Sequence, residues 1–167
     1  SAKDDAAGMA VSDHMTAQIR SLNQAVRSSN DGISFVQTAE GALGTVSDML
    51  QRIRELAVQS DGGTLNSSQQ DYIDMEVKVL GQEMGNILSS TKFNGISMLT
   101  SGTVTIQAGW DSGDTITIGM TDISSSLTTY TAFSNATGTA NTQALTLSDI
   151  DTAIEAVNNR RSELGAQ

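Results

Sequence analysis

The sequence predicts a mainly α fold, an elongated helical bundle of one very long helix and two shorter ones, with a β-hairpin. Three observations predict it. From residue 3 to residue 59 the apolar positions recur at helical spacing with no proline. Residues 69–89 and 147–167 repeat the same three-and-four spacing. Between them the period drops to two at 104–108 and again at 116–120, the alternation of a strand.

The first stretch sets the scale. Met15, Ile19, Leu22, Val26, Ile33, Val36, Leu43, Val46, Leu50, Ile53 and Leu56 form one stripe that drifts slowly around a helix. Asn30-Asp31-Gly32 is turn chemistry, yet Val26 and Ile33 keep phase across it, so it reads as a soft spot in one helix. At 1.5 Å per residue such a helix is roughly 85 Å long. A compact globule of this chain length would be about 40 Å across, so the expected domain is a single rod over 1–167. Residues 60–68 supply the first break, with Asp61-Gly62-Gly63 as the turn and Ser67 or Ser68 as the expected cap of the second helix. That helix carries Ile73, Val77, Leu80, Met84 and Ile87 on one face and is expected to fold back antiparallel.

Phe93-Asn94-Gly95 reads as a turn, and the two alternating stretches as a hairpin joined by the loop 109–114. Residues 121–146 are rich in Ser and Thr with scattered apolar anchors, an irregular connection within the segment 101–146. The third helix is expected to be capped near Ser148 and to run a seam of Leu147, Ile150, Ile154, Val157, Arg161 and Leu164. The apolar pattern is already running at Ala6-Ala7 and is in register at Leu164, so both ends read as cut from a longer chain.

Composition narrows the function classes. The net charge of −10 argues against nucleic acid, which basic residues must neutralise, and against an anionic membrane surface. No stretch approaches the ~20 apolar residues of a membrane-spanning helix, and Ser1 opens on charged sequence rather than on a signal peptide. Without cysteine there is neither a disulfide framework nor a thiolate metal site. His14 is the only histidine and has no second ligand at metal-binding spacing. Gly41-Ala42-Leu43-Gly44 lacks the lysine of a phosphate loop, and no serine sits in a nucleophile motif. Neither an enzyme nor a cofactor is expected. What remains is a surface: LQRIRELAVQ is the densest basic cluster of an acidic chain, with Arg52, Arg54, Glu55 and Gln59 on one segment. Two arginines beside a glutamate read first as a solvated helix face with i,i+3 pairing.

Those residues also carry a resemblance. SAKDDAAGMAVSDHMTAQIR, NDGISFVQTAEGAL, LQRIRELAVQS and STKFNGISML, spanning residues 1–99, resemble the N-terminal block of bacterial flagellin. Residues 147–167, ending RRSELGAQ, more weakly resemble the start of the flagellin C-terminal helix. The resemblance implies a helical spoke domain of an extracellular filament, exported without a cleaved signal peptide, with other flagellin subunits as partners. It also implies that the terminal helices forming the inner tube lie outside this chain, which is then expected to be monomeric in dilute solution. Where flagellins insert outer domains, only residues 121–146 stand here.

In many flagellins the LQRxRELAVQ segment, with a glutamate on the next helix, is bound by the flagellin-sensing Toll-like receptor. The resemblance therefore implies an interface at Arg52, Leu56 and Glu76, with Gln51, Glu55 and Gln59 as neighbours. Packing between subunits is the primary role expected for the same residues. A junction subunit between hook and filament and a secreted adhesin module are the competing readings.

Overall fold

The computed structural model describes residues 5–120, 123 and 146–166. The irregular connection expected over 121–146 lies outside the described residues, apart from Ile123 and Thr146. Among the described residues, three helices and four short strands follow in the order α1 (Ala6–Asp61), α2 (Ser67–Ser90), β1 (Lys92–Phe93), β2 (Ile96–Ser97), β3 (Gly102–Gln107), β4 (Thr115–Met120) and α3 (Leu147–Gly165). Among the described residues no helix is long and apolar enough to cross a membrane.

α1 is unbroken for 56 residues, so Asn30-Asp31-Gly32 is no turn. Its first turn is capped by Asp5, whose Oδ1 accepts from the Gly8 amide at 2.7 Å. The helix stops at the paired glycines, where Gly63 takes φ +64°. α2 then begins one residue earlier than serine capping would place it. Asn66 is the cap: its side chain accepts from the Gln69 amide at 2.9 Å, and the Gln69 side chain accepts from the Asn66 amide at 3.0 Å. That is a reciprocal capping box, and N-x-x-Q is its sequence signal. α3 repeats the device with Thr146 rather than Ser148: the Thr146 hydroxyl accepts from the Asp149 amide at 3.2 Å, and Asp149 accepts from the Thr146 amide at 3.0 Å.

The chain divides into two compact units, Ser1–Phe35 with Thr103–Gly119, and Val36–Gly102 with Met120–Gln167. In the first, β3 and β4 form a two-stranded sheet, and the Ala108 amide closes its loop on the Asp114 carbonyl at 2.8 Å. Ala25, Phe35, Ile106 and Ile118 are buried here. Gly32 explains itself: a Cβ at that position would collide with the Ile106 side chain and touch Ile118. The glycine is a slot for the hairpin in the wall of a continuous helix. Beside it an open groove of about 380 Å3 is lined from α1 by Ser21, Gln24, Ala25 and Ser28, and from the hairpin end by Gln107, Gly109, Trp110 and Ser112.

The stripe expected to run the length of α1 divides here. Met15, Ile19, Leu22, Val26 and Ile33 are 44–62% exposed, whereas Ala25 and Gly32 on an adjacent face are buried. Close approach of the hairpin requires small residues, and small residues carry little hydrophobic signal.

In the second unit the stripe holds. Leu43, Val46, Leu50, Ile53 and Leu56 of α1 are buried, as are Ile73, Val77, Met84 and Leu88 of α2 and Ile150, Ala153, Val157 and Leu164 of α3. Leu80 and Ile87, expected on the α2 seam, are half-buried, and Leu88 fills the last turn. The α3 seam is offset by one residue: Ala153 and Arg160 are buried, and Ile154 and Arg161 flank them. Arg160 donates from Nη1 to Glu163 Oε2 at 2.8 Å. β1 and β2 pair antiparallel, Lys92 with Ser97 and Phe93 with Ile96, around Asn94-Gly95 at φ +48° and +81°, the signature of a type I′ turn.

Two outcomes test this packing. Gly32→Val is expected to cost about 1–3 kcal/mol as an overpacked site, with partial rescue when Ile106→Ala makes room; thermal unfolding of the single and double variants reads it. Asn66→Ala is expected to lower stability by about 0.5–2 kcal/mol, measured by denaturant unfolding.

Candidate interaction face

Successive residues on a helix are turned by about 100°, and this rotation builds the face from three consecutive side chains. Ile53 points into the core and is fully buried. Arg52 and Arg54 therefore leave α1 on opposite sides of it, one toward α2 and the other toward α3. Arg52 donates from Nε and Nη2 to Glu76 Oε1 at 3.0 and 2.8 Å, and from Nη1 to Glu55 Oε2 at 3.0 Å. Arg54 donates from Nε to Asp151 Oδ1 at 2.6 Å and from Nη2 to Oδ2 at 3.4 Å, a fork-on-fork pair. A second link between α3 and α1 joins Arg161 to Glu40 at 3.9 Å.

The basic cluster is thus a pair of clamps between helices more than a solvated face. Only the Arg52–Glu55 contact is the i,i+3 pairing that the sequence suggests. Asp151 was missed as the partner of Arg54, because the two are 97 residues apart and nothing local joins them.

Of the residues expected at an interface, Arg52, Glu55 and Glu76 come together as one hydrogen-bonded group. Gln51 and Gln59 are exposed on the same helix. Leu56 is 2% exposed and lies beneath the face, so it supports the surface from the core. On α1 an open groove of about 480 Å3 is lined by Gln51, Arg54, Glu55 and Val58. Among the described residues no group of three or more His, Cys, Asp or Glu side chains is placed to hold a metal ion, and His14 is exposed on α1.

Hydrogen bonds set the proton affinities of the face. Glu76 first, then Glu55, raise Arg52 above its ordinary value, and Asp151 raises Arg54. In return the Arg54 guanidinium holds the Asp151 carboxyl below the usual carboxylate range, against a smaller opposing effect of desolvation. The Thr146 hydroxyl and amide lower Asp149 in the same way.

Both carboxyls bind a proton less readily in the folded chain than in the unfolded one. Their contribution to stability is therefore complete above the unfolded value of about 3.9 and is lost as pH falls through their lowered folded values. Unfolding followed against pH is expected to show this loss below about pH 4, with a shallower loss in Asp151→Asn. A carboxyl titration by NMR in which the Asp151 midpoint is not lowered would remove the Arg54 pairing.

Comparison with known proteins agrees with this architecture. The family profile described as the bacterial flagellin N-terminal helical region matches residues 1–105. The chain is 44% identical over 168 residues to a flagellin of Halalkalibacterium halodurans, a match covering 99% of this chain and 61% of that protein. It is 46% identical over 153 residues to a flagellin of Escherichia coli O127:H6, covering 90% of this chain and 28% of that one. The chain thus spans less than two-thirds of the length of either relative. The crystal structure of Bacillus cereus flagellin superposes with a TM-score of 0.71 at 32% identity, covering 83% of this chain and 80% of that one. With the match running through α1, α2 and the two arginine clamps, this chain belongs to the bacterial flagellin family.

Proposed function

We propose that this chain is a core segment of a structural subunit that polymerises with copies of itself into the bacterial flagellar filament. The observation that carries the reading is the family match over residues 1–105, which takes in all of α1 and α2 and both clamp arginines. The subunit acts outside the cell, is exported without a cleaved signal peptide, and works by surface contacts rather than catalysis. Residues 1–167 serve as one core domain, with 1–100 supplying the N-side helices, 101–146 the hairpin and connection, and 147–167 the beginning of the C-side helix. Sheared and washed filaments of the source bacterium are expected to yield tryptic peptides of this chain; filaments without them would overturn the filament role.

We further propose that the Arg52–Glu76 face is recognised by the flagellin-sensing Toll-like receptor. Arg52 supports this reading: it is held in a fixed pose by two carboxylates while remaining about half exposed. A side chain already ordered loses less entropy when a partner seats on it. Gln51, Glu55 and Gln59 border it, and Leu56 holds the helix from below. An arginine at the centre of such a face is a hot-spot candidate, and truncating one costs about 2 kcal/mol or more. Arg52→Ala is expected to weaken receptor binding by more than about tenfold, measured by surface plasmon resonance on the receptor ectodomain. Unchanged affinity would take Arg52 out of the site.

A further inference from the structure

Trp110 is half-exposed on the loop that joins β3 to β4. The loop is closed at its base by the Ala108 and Gly109 amides, which both donate to the Asp114 carbonyl, at 2.8 and 3.2 Å. Gln107 holds it from within: its Nε2 donates to the Gly109 carbonyl at 3.1 Å and to the Asp111 carbonyl. The indole therefore stands on an ordered loop at the wall of the groove in the first unit. That groove, of about 380 Å3, is within the range of ligand pockets. Its hydrogen-bonding side chains are Ser21, Gln24 and Ser28 of α1 and Gln107 and Ser112 of the hairpin, and none of them ionises. The two glutamines are fixed with opposite polarity. Arg27 donates from Nε and Nη2 to Gln24 Oε1 at 3.1 and 2.7 Å, which leaves the Gln24 Nε2 hydrogens to donate. Gln107 commits its Nε2 to the loop carbonyls, which leaves its Oε1 to accept.

We propose that this groove binds a neutral saccharide, with one pyranose ring stacked by its C–H face on Trp110 and its hydroxyls bonded to the glutamines and serines. The inference does not rest on the filament reading. An indole offers a large apolar face, and the C–H side of a sugar ring is the apolar face that fits it. A hydroxyl both donates and accepts, and it loses water at a cost unless both bonds are restored. Gln24 supplies the donor, Gln107 the acceptor, and the serine hydroxyls serve as either. Charge excludes the other small ligands that an indole attracts. A quaternary ammonium is held by a cage of aromatic faces, and Trp110 is the only aromatic among the described residues of the groove. An anion would approach a chain of net charge −10 with no cation in the described wall, since Arg27 is engaged by Gln24. A nucleobase also stacks, but it presents hydrogen-bonding groups along its edge, whereas the polar side chains here come from both walls.

The full chain, labelled with nitrogen-15, is titrated with chitotriose and separately with N-acetyllactosamine, each to about 20 mM so that millimolar affinities are covered. Saturable shifts are expected at the Trp110 indole N–H and at the side-chain amides of Gln24 and Gln107, with one common Kd. Tighter binding of chitotriose assigns a cell-wall type of glycan, and tighter binding of N-acetyllactosamine a galactose-ended surface glycan. Trp110→Ala is expected to weaken binding about tenfold or more, followed by saturation transfer to the sugar protons, and Trp110→Phe to restore part of it. Gln24→Glu keeps the acceptor for Arg27 and removes only the donor, so a loss of about two- to tenfold is expected with unchanged circular dichroism. Because the ligand is neutral, Kd should stay within about twofold as ionic strength rises from about 0.01 M to about 1 M; a steeper dependence overturns the assignment. No saturable shift with either sugar, undiminished binding by Trp110→Ala, or tighter binding of adenosine or choline also overturns it.

Discussion

The unbroken backbone ladder of α1 is the constraint on which the rest depends. Each amide donates four residues back, and with no proline in the chain nothing removes a donor from the run. Once the ladder is continuous, the direction of every side chain follows from its number. Ile53 faces inward, so Arg52 and Arg54 must flank it, and each can reach only the neighbour on its own side. Gly32 must face the hairpin if Ala25, one heptad earlier, does so. The capping boxes at Asn66 and Thr146 then fix where the two partner helices begin, and hence where Glu76 and Asp151 meet their arginines.

Hydrophobic spacing made the helices legible, but not always the side on which they pack. From Leu43 to Leu56 the large residues are both the periodic ones and the buried ones, so the reading of that face holds. Toward the N-terminus the two properties separate. The approach of β3 and β4 is accommodated by Ala25 and Gly32, while Met15, Ile19, Leu22, Val26 and Ile33 keep perfect phase and remain exposed. On α3 the buried positions are Ala153 and Arg160, one residue before the expected Ile154 and Arg161. A period identifies a face; the size of the partner's approach decides which face is used, and that is a tertiary fact. The helix caps were more accessible than serine preference suggested, since N-x-x-Q and T-x-x-D are both written in the sequence. At the candidate face, the grouping of Arg52 with Glu76 came from family resemblance, and the Arg54–Asp151 pair had no sequence signal at all.

The chain is acidic, yet its cations are not spread at random. Among the described residues, Arg52, Arg54, Arg160 and Arg161 are in ion pairs within the second unit. Exposed pairs of this kind add little to stability singly. The effect of the three pairs that join different helices, Arg52–Glu76, Arg54–Asp151 and Arg161–Glu40, is geometric: they favour one relative rotation of neighbouring helices, which hydrophobic contact, being non-directional, leaves loose.

The chain's only tryptophan has a practical consequence. Trp110 sits half-exposed beside α1 in the first compact unit, and the second unit has none. Indole emission is therefore a local optical gauge of the hairpin loop and its helix. Far-ultraviolet ellipticity, by contrast, averages over α1, α2 and α3. Melting curves recorded by the two signals would coincide in a single cooperative transition and part company if the hairpin end loosens first.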